Sequence, residues 1–320
     1  MSKPKVFVTR KLPPAVEDRL TRDYDAALND DDRAFAADEL LAGSQGVDAV
    51  LTCSTEKWPA DLIAKLPERI KIIASFSVGM EHIDLPACKA RGIVVTNTPD
   101  VLTEATADIA MLCLLGAARR ASEGERMVRQ RQWGRAALTM LLGLEIRGAT
   151  LGIVGMGRIG QALAARARGF GMEIHYHNRT RLPPEKELGA IYHAELDEML
   201  PRVRFLSLHC PGGPATTKLI DARTIGLLPQ SAVVVNTSRG TVVDDEALIA
   251  ALRSGRLFAA GLDVFAGEPD IHPGYYDLDN VFMLPHLGSA TVETRDAMGF
   301  VCLDNLDAFF AGRPAPTALT

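Results

Sequence analysis

The stretch Leu151-Gly152-Ile153-Val154-Gly155-Met156-Gly157-Arg158-Ile159-Gly160 constrains this chain more than any other. An apolar run meets a glycine turn and passes straight into a helical pattern, with Gly155, Gly157 and Gly160 in G-x-G-x-x-G spacing. Gly155 lets the backbone turn tightly after a strand. Gly157 has no side chain, so a pyrophosphate can approach the backbone, and Gly160 lets the new helix pack close to the sheet. That helix points its free N–H groups and positive dipole end at the phosphates. Three glycines also fit a plain strand–turn–helix corner, so the rest of the chain decides between the two.

At 320 residues, 47% hydrophobic and 23% charged, the chain is ordinary for a globular protein and long enough for two cores. A net charge of −5 without a basic tract argues against nucleic acid as a partner. The N-terminus enters strand-like Val6-Phe7-Val8 without an apolar leader, and the longest apolar run, Ile109 to Ala118, is short of a membrane span. Cys53, Cys88, Cys113, Cys210 and Cys302 are scattered, with no C-x-x-C pair. They predict reduced thiols, no metal site and a cytoplasmic location.

Strand-like and helix-like segments alternate along the chain, which predicts parallel α/β sheets. In residues 1–99 the strands are expected at Lys5–Thr9, Asp48–Thr52, Lys71–Ala74 and Ile93–Thr96. Asn97-Thr98-Pro99-Asp100 is turn chemistry and a candidate linker. One long helical pattern follows, from Leu102 to about Gln130. A second unit then offers six strands: Thr150–Val154, Glu173–His177, Arg204–His209, Ala232–Asn236, Ala259–Val264 and Val281–Leu284. The last helical piece, Ala290 to Ala311, is too short for a domain and is expected to cover the first one. The expected division is 1–99 and 287–320 for one domain, with 100–286 inserted as a dinucleotide-binding domain.

The segment after the second strand of that inserted domain reads Asn178-Arg179-Thr180-Arg181. An NAD site usually places Asp or Glu there for the ribose 2′-hydroxyl. Here Asn178 and Thr180 offer hydrogen bonds and Arg179 a fixed positive charge, which favours a 2′-phosphate. NADP(H) is therefore the expected cofactor, with NAD(H) as the alternative and a solvated strand-end arginine as the bland reading. Three later strand ends carry Arg239, Glu268 and His286, each ordinary when taken singly. Together they suit the reduction of a 2-keto acid: a cation for the carboxylate and carbonyl, an acid for the developing alkoxide, and a carboxylate to hold that acid.

These residues resemble a known family, the D-2-hydroxyacid dehydrogenases, and specifically its glyoxylate/hydroxypyruvate reductase branch. The resemblance covers nearly the whole chain. Its motifs are Phe76-Ser77-Val78-Gly79-Met80-Glu81-His82-Ile83-Asp84, Thr98-Pro99-Asp100-Val101-Leu102-Thr103-Glu104, the glycine stretch, Asn236-Thr237-Ser238-Arg239-Gly240, Gly261-Leu262-Asp263-Val264, Glu268-Pro269 and Leu284-Pro285-His286-Leu287-Gly288-Ser289-Ala290. It implies a two-domain α/β fold, with a Rossmann-type parallel-sheet coenzyme domain inserted into a flavodoxin-like substrate domain. It implies that Arg239 binds the substrate carboxylate and carbonyl, that His286 is the acid/base, and that Glu268 pairs with it. The backbone N–H groups of Val78 and Gly79 would hold the carboxylate. Arg158 and Ile159 would lie at the pyrophosphate, and Cys210 and Pro211 on the adenosine side. Thr237 and Arg239 would lie near the nicotinamide ribose, Asp263 and Gly288 at the nicotinamide, and Thr106 would touch the cofactor from the long helix. A homodimer through the coenzyme domain is expected, with 121–147 as its arm. Two alternatives stay open: a dehydrogenase for a bulkier D-2-hydroxy acid, or a dinucleotide-sensing corepressor-like binding protein. The other histidines, His82 and His209 among them, show no matching constellation in the sequence.

Overall fold

The computed structural model describes residues 3–135 and 137–320. The chain divides into two compact units. One runs to Leu102 and resumes at Ser289, and the other is Thr103–Gly288.

In the first unit β1 (Lys5–Val8), β2 (Asp25–Ala27), β3 (Ala49–Cys53), β4 (Ile72–Phe76) and β5 (Val94–Thr96) form a parallel sheet in the order β2-β1-β3-β4-β5. The central strands read as nearly continuous apolar runs because both faces of the sheet are covered. Val6, Val8, Leu51 and Ile72 pack on one side with Leu20, Cys302, Leu303 and Leu306. Phe7, Val50, Ile73 and Val95 pack on the other with Leu40, Trp58 and Ile63. The C-terminal helix Val292–Phe310 is capped by Thr291, whose hydroxyl accepts from the Thr294 N–H at 3.1 Å. Beyond it the chain returns beside β5, where the Leu319 N–H donates to the Val95 carbonyl at 2.8 Å. Sequence patterning misses β2 because Asp25-Ala26-Ala27 has neither β-branched residues nor alternation.

In the second unit β6 (Thr150–Val154), β7 (Glu173–His177), β8 (Ile191–His193), β9 (Phe205–Leu208), β10 (Ala232–Asn236), β11 (Leu257–Leu262) and β12 (Val281–Met283) form a parallel sheet ordered β12-β11-β10-β9-β6-β7-β8. The order reverses between β6 and β9, which is where an open α/β sheet leaves a crevice at the carboxyl ends of its strands. The sheet has seven strands where the sequence offered six. The addition is β8, a three-residue edge strand paired to β7.

The helix Thr103–Ala118 is buried along Ala107, Ala110, Met111, Cys113, Leu114 and Ala117. It lies so close to β11 that a Cβ on Gly261 would stand 2.4 Å from the Cys113 carbonyl oxygen. The expected continuous helix to about Gln130 breaks at Arg120 (φ 55°), and a second helix spans Ala121–Arg129. The cause lies further along the chain. The Leu144 N–H bonds the Ala118 carbonyl at 2.8 Å and so occupies an acceptor that a continuing helix would use.

The division between units falls at 102/103 and 288/289, a few residues beyond the turn chemistry at 99/100 and 286/287. Leu287 and Gly288 stay with the second unit because their amides bond Asp263. Among the described residues, no helix is long and apolar enough to cross a membrane, and no group of three or more His, Cys, Asp or Glu could hold a metal.

Candidate active site

The three motif glycines meet three different surroundings. Gly155 has φ 93°, and a Cβ there would lie 2.6 Å from the Cys210 nitrogen, so the turn admits no L side chain. At Gly157 a Cβ would meet nothing within 4 Å, which leaves open space over the backbone. At Gly160 a Cβ would stand 2.5 Å from the Gly155 carbonyl oxygen and 3.1 Å from Ile153, so the helix needs glycine to sit against the strand. The helix Arg158–Gly169 starts at Gly157 without a side-chain cap. Its first-turn amides, at Arg158, Ile159 and Gly160, are the donors a helix N-terminus offers an anion.

Asn178 follows β7, and its side-chain oxygen accepts from the Met156 N–H at 2.7 Å, which ties the strand end to the glycine turn. Arg179 and Thr180 are exposed beside it. Arg181 is engaged elsewhere. Its guanidinium grips Glu187 with two bonds of 2.8 and 3.0 Å, and the Tyr176 hydroxyl donates to the same carboxylate at 2.6 Å. Together the Arg181 and Tyr176 bonds hold the Glu187 carboxyl down at about 2. Arg179 is exposed and has no carboxylate partner among the described residues.

On the far side of the loop Cys210 is buried, and burial pushes its thiol up to about 11, away from reactivity. Pro211 follows it. His209 bonds Ser207 through Nε2 at 2.8 Å, while its Nδ1 is buried with no partner among the described residues. Burial lowers its pKa to about 4, so the ring is neutral. The Thr237 hydroxyl is likewise buried, with no partner among the described residues. A buried orphan of this kind costs about 1–3 kcal/mol, which a bound group supplying the missing partner would relieve. Thr237 is the residue that the resemblance puts near the nicotinamide ribose. The uncapped helix, the open face over Gly157 and this orphan all suit a dinucleotide.

The remaining loops carry the candidate chemistry. Asn236 ends β10, and its side chain bonds the Ser238 N–H, the Ser238 hydroxyl and the Arg239 carbonyl at 3.0, 2.8 and 2.9 Å. This network fixes the turn that presents half-buried Arg239. A Cβ on Gly240 would fall 1.8 Å from the Phe265 carbonyl carbon, so the Arg239 loop and the loop leading to Glu268 run in direct contact.

His286 Nδ1 lies 2.7 Å from Glu268 Oε1, with their side chains 46% and 35% exposed. Nδ1 faces the carboxylate, and Nε2 is the ring's other proton-carrying position. His286 has φ 56°, a left-handed conformation that costs a non-glycine residue about 1–3 kcal/mol. Asp263 holds it there. The His286 N–H bonds the Asp263 carbonyl at 2.9 Å, and the Asp263 carboxylate takes the Leu287 and Gly288 amides at 2.6 and 2.8 Å. Burial raises the Asp263 carboxyl despite those amides. Thr106 completes the turn, its hydroxyl donating to the Gly288 carbonyl at 3.1 Å.

The structure thus brings Glu268 and His286 together, sets the Arg239 loop against the Glu268 loop, and makes Asp263 a brace behind His286. Val78 and Gly79 belong to the first unit, in the turn after β4. Asn236, Gly240 and His209 escape sequence reasoning. Asn236 bonds Ser238 and Arg239 within its own loop, His209 bonds Ser207 two residues before it, and Gly240 alone of the three meets another loop, at Phe265.

Residues 111–288 match the family described as the D-isomer specific 2-hydroxyacid dehydrogenase NAD binding domain. The chain is 47% identical over 321 residues to a glycerate dehydrogenase of Hyphomicrobium methylovorum, covering 100% of both proteins. It is 44% identical to a glyoxylate reductase of Thermococcus litoralis, over 98% of this chain and 96% of that one. Its fold is similar to the crystal structure of an NADPH-dependent glyoxylate/hydroxypyruvate reductase from Sinorhizobium meliloti in complex with NADP and malonate. That match has a TM-score of 0.90 at 38% identity and covers 100% of this chain and 97% of that one.

Proposed function

The chain belongs to the D-isomer specific 2-hydroxyacid dehydrogenases, oxidoreductases acting on 2-keto and 2-hydroxy acids, and on that premise we propose that it is an NADPH-preferring reductase of small 2-keto acids. Its substrates are glyoxylate, giving glycolate, and hydroxypyruvate, giving D-glycerate. The observation that carries this reading is the 2.7 Å pair of His286 and Glu268 at the carboxyl end of a sheet with a dinucleotide loop. The reduced nicotinamide, when bound, supplies the hydride equivalent. Arg239 orients the acid and polarises its carbonyl. His286 gives a proton from Nε2 to the carbonyl oxygen, and Glu268 holds the ring from Nδ1. The Val78 and Gly79 amides hold the substrate carboxylate.

Arg179 reads the 2′-phosphate with Asn178 and Thr180 around it. The NADP complex of the Sinorhizobium reductase supports NADP use. The homodimer remains part of the proposal, with the 121–147 segment as its arm. Exposed Val128, Trp133, Leu138 and Leu142 on that segment support it, Leu138 being 99% exposed.

The test is NADPH oxidation by the purified protein over a panel of glyoxylate, hydroxypyruvate and phenylpyruvate. The two small acids should give the highest kcat/KM. A preference for phenylpyruvate overturns the substrate assignment, and no turnover on any of them overturns the reductase reading.

A further inference from the structure

In the turn after β4 three successive peptide carbonyls are each held by a hydrogen bond. The Ser77 carbonyl accepts from the Thr98 N–H at 2.9 Å. The Val78 carbonyl accepts from Asn97 Nδ2 at 3.1 Å, and the Gly79 carbonyl accepts from the Ser77 hydroxyl at 2.9 Å. In a trans peptide the C=O and N–H point in opposite directions. Tying down these three carbonyls therefore turns the amides of Val78, Gly79 and Met80 away from them. Among the described residues none of those amides has an acceptor, and Val78 is exposed.

The bond to Gly79 is the end of a buried relay whose direction is forced. Each serine hydroxyl has one proton to give. Ser77 donates its proton to Gly79, so it accepts from Ser75 at 2.8 Å. Ser75 has then given its own proton and accepts from His82 Nε2 at 3.1 Å. His82 is only 4% exposed, and its backbone is anchored, the Trp58 N–H donating to its carbonyl at 2.7 Å. Asn97 is anchored too, its carbonyl accepting from the Thr317 hydroxyl at 2.6 Å.

We propose that Ser75, Ser77, His82 and Asn97 are positioning residues that hold a three-amide anion seat, with the Met80 N–H as a third donor beside Val78 and Gly79. The anion is the carboxylate of the 2-keto acid, so the inference rests on the function proposed above. Successive outward amides bind anions, and a carbonyl allowed to rotate into the seat would repel one. His82, which looked like an ordinary core histidine in the sequence, is the far end of this device and carries its proton on Nε2.

The test compares wild type, Ser77→Ala, Asn97→Ala, His82→Leu and His82→Gln in steady-state reduction of glyoxylate, with NADPH Kd and Tm measured alongside. Ser77→Ala, Asn97→Ala and His82→Leu should each raise KM for glyoxylate about two- to tenfold, the worth of one hydrogen bond. Their NADPH Kd should hold, and kcat should fall far less than KM rises. His82→Gln keeps an N–H donor at similar reach and should restore KM. Unchanged KM in all three disrupting variants overturns the seat. A joint shift of KM, NADPH Kd and Tm that His82→Gln does not rescue reduces these residues to a structural role and also overturns it. A wild type that turns over no 2-keto acid fails the functional reading itself, which is a separable result.

Discussion

Arg179 and Arg181 stand two residues apart and do different work. Arg181 is locked to Glu187 and shapes the loop, whereas Arg179 projects from it. Arg179→Ala should therefore cut the NADPH-to-NADH ratio of kcat/KM about ten- to a hundredfold, the worth of one charged hydrogen bond. An unchanged ratio would remove Arg179 from cofactor selection. The sequence points to this position through a local fact, a missing acid and a present cation after one strand, and the ratio tests whether that reading is right. Asp263 was legible only by resemblance, and as a cofactor contact. Its observed bonds to Leu287 and Gly288 join residues more than twenty positions apart, and no local pattern encodes them. Asn236 and His209 bond near neighbours, Asn236 to Ser238 and Arg239 and His209 to Ser207, but the residue types alone do not say that these side chains fold back onto their own loop and strand.

At the scale of elements the glycine turn separates stability from binding. Gly155→Ala forces a Cβ into a left-handed backbone, costing about 1–2 kcal/mol before any clash with Cys210 is counted. Thermal unfolding of that variant should show a lowered Tm. Gly157→Ala meets only open space, so its Tm should stay near wild type while NADPH binding weakens. Equal Tm losses in the two variants would contradict the distinct jobs given to these glycines. Strand reading succeeded on five-residue strands inside the sheet: β6, β7 and β10 match the expected bounds residue for residue. It failed at β2 and β8, three-residue edges whose pairing comes from a neighbour. It also failed at Arg120, where Leu144 ends the helix.

At the scale of the whole chain, two parallel sheets are built from one polypeptide that leaves the first unit after Leu102 and re-enters it at Ser289. That architecture was legible because alternating strand and helix segments with short turns permit few other folds. The proposed chemistry was sought where such sheets collect ligands, at the carboxyl ends of strands, and there the His286–Glu268 pair is found. The account centres on His286 as the group that protonates the substrate oxygen, braced by Glu268 and Asp263. The measurement that tests it most directly is kcat for glyoxylate at saturating NADPH in wild type and His286→Gln, with NADPH affinity measured in both. His286→Gln should lose about 10²–10⁴ in rate with unchanged NADPH affinity. A His286→Gln enzyme with wild-type kcat would contradict it.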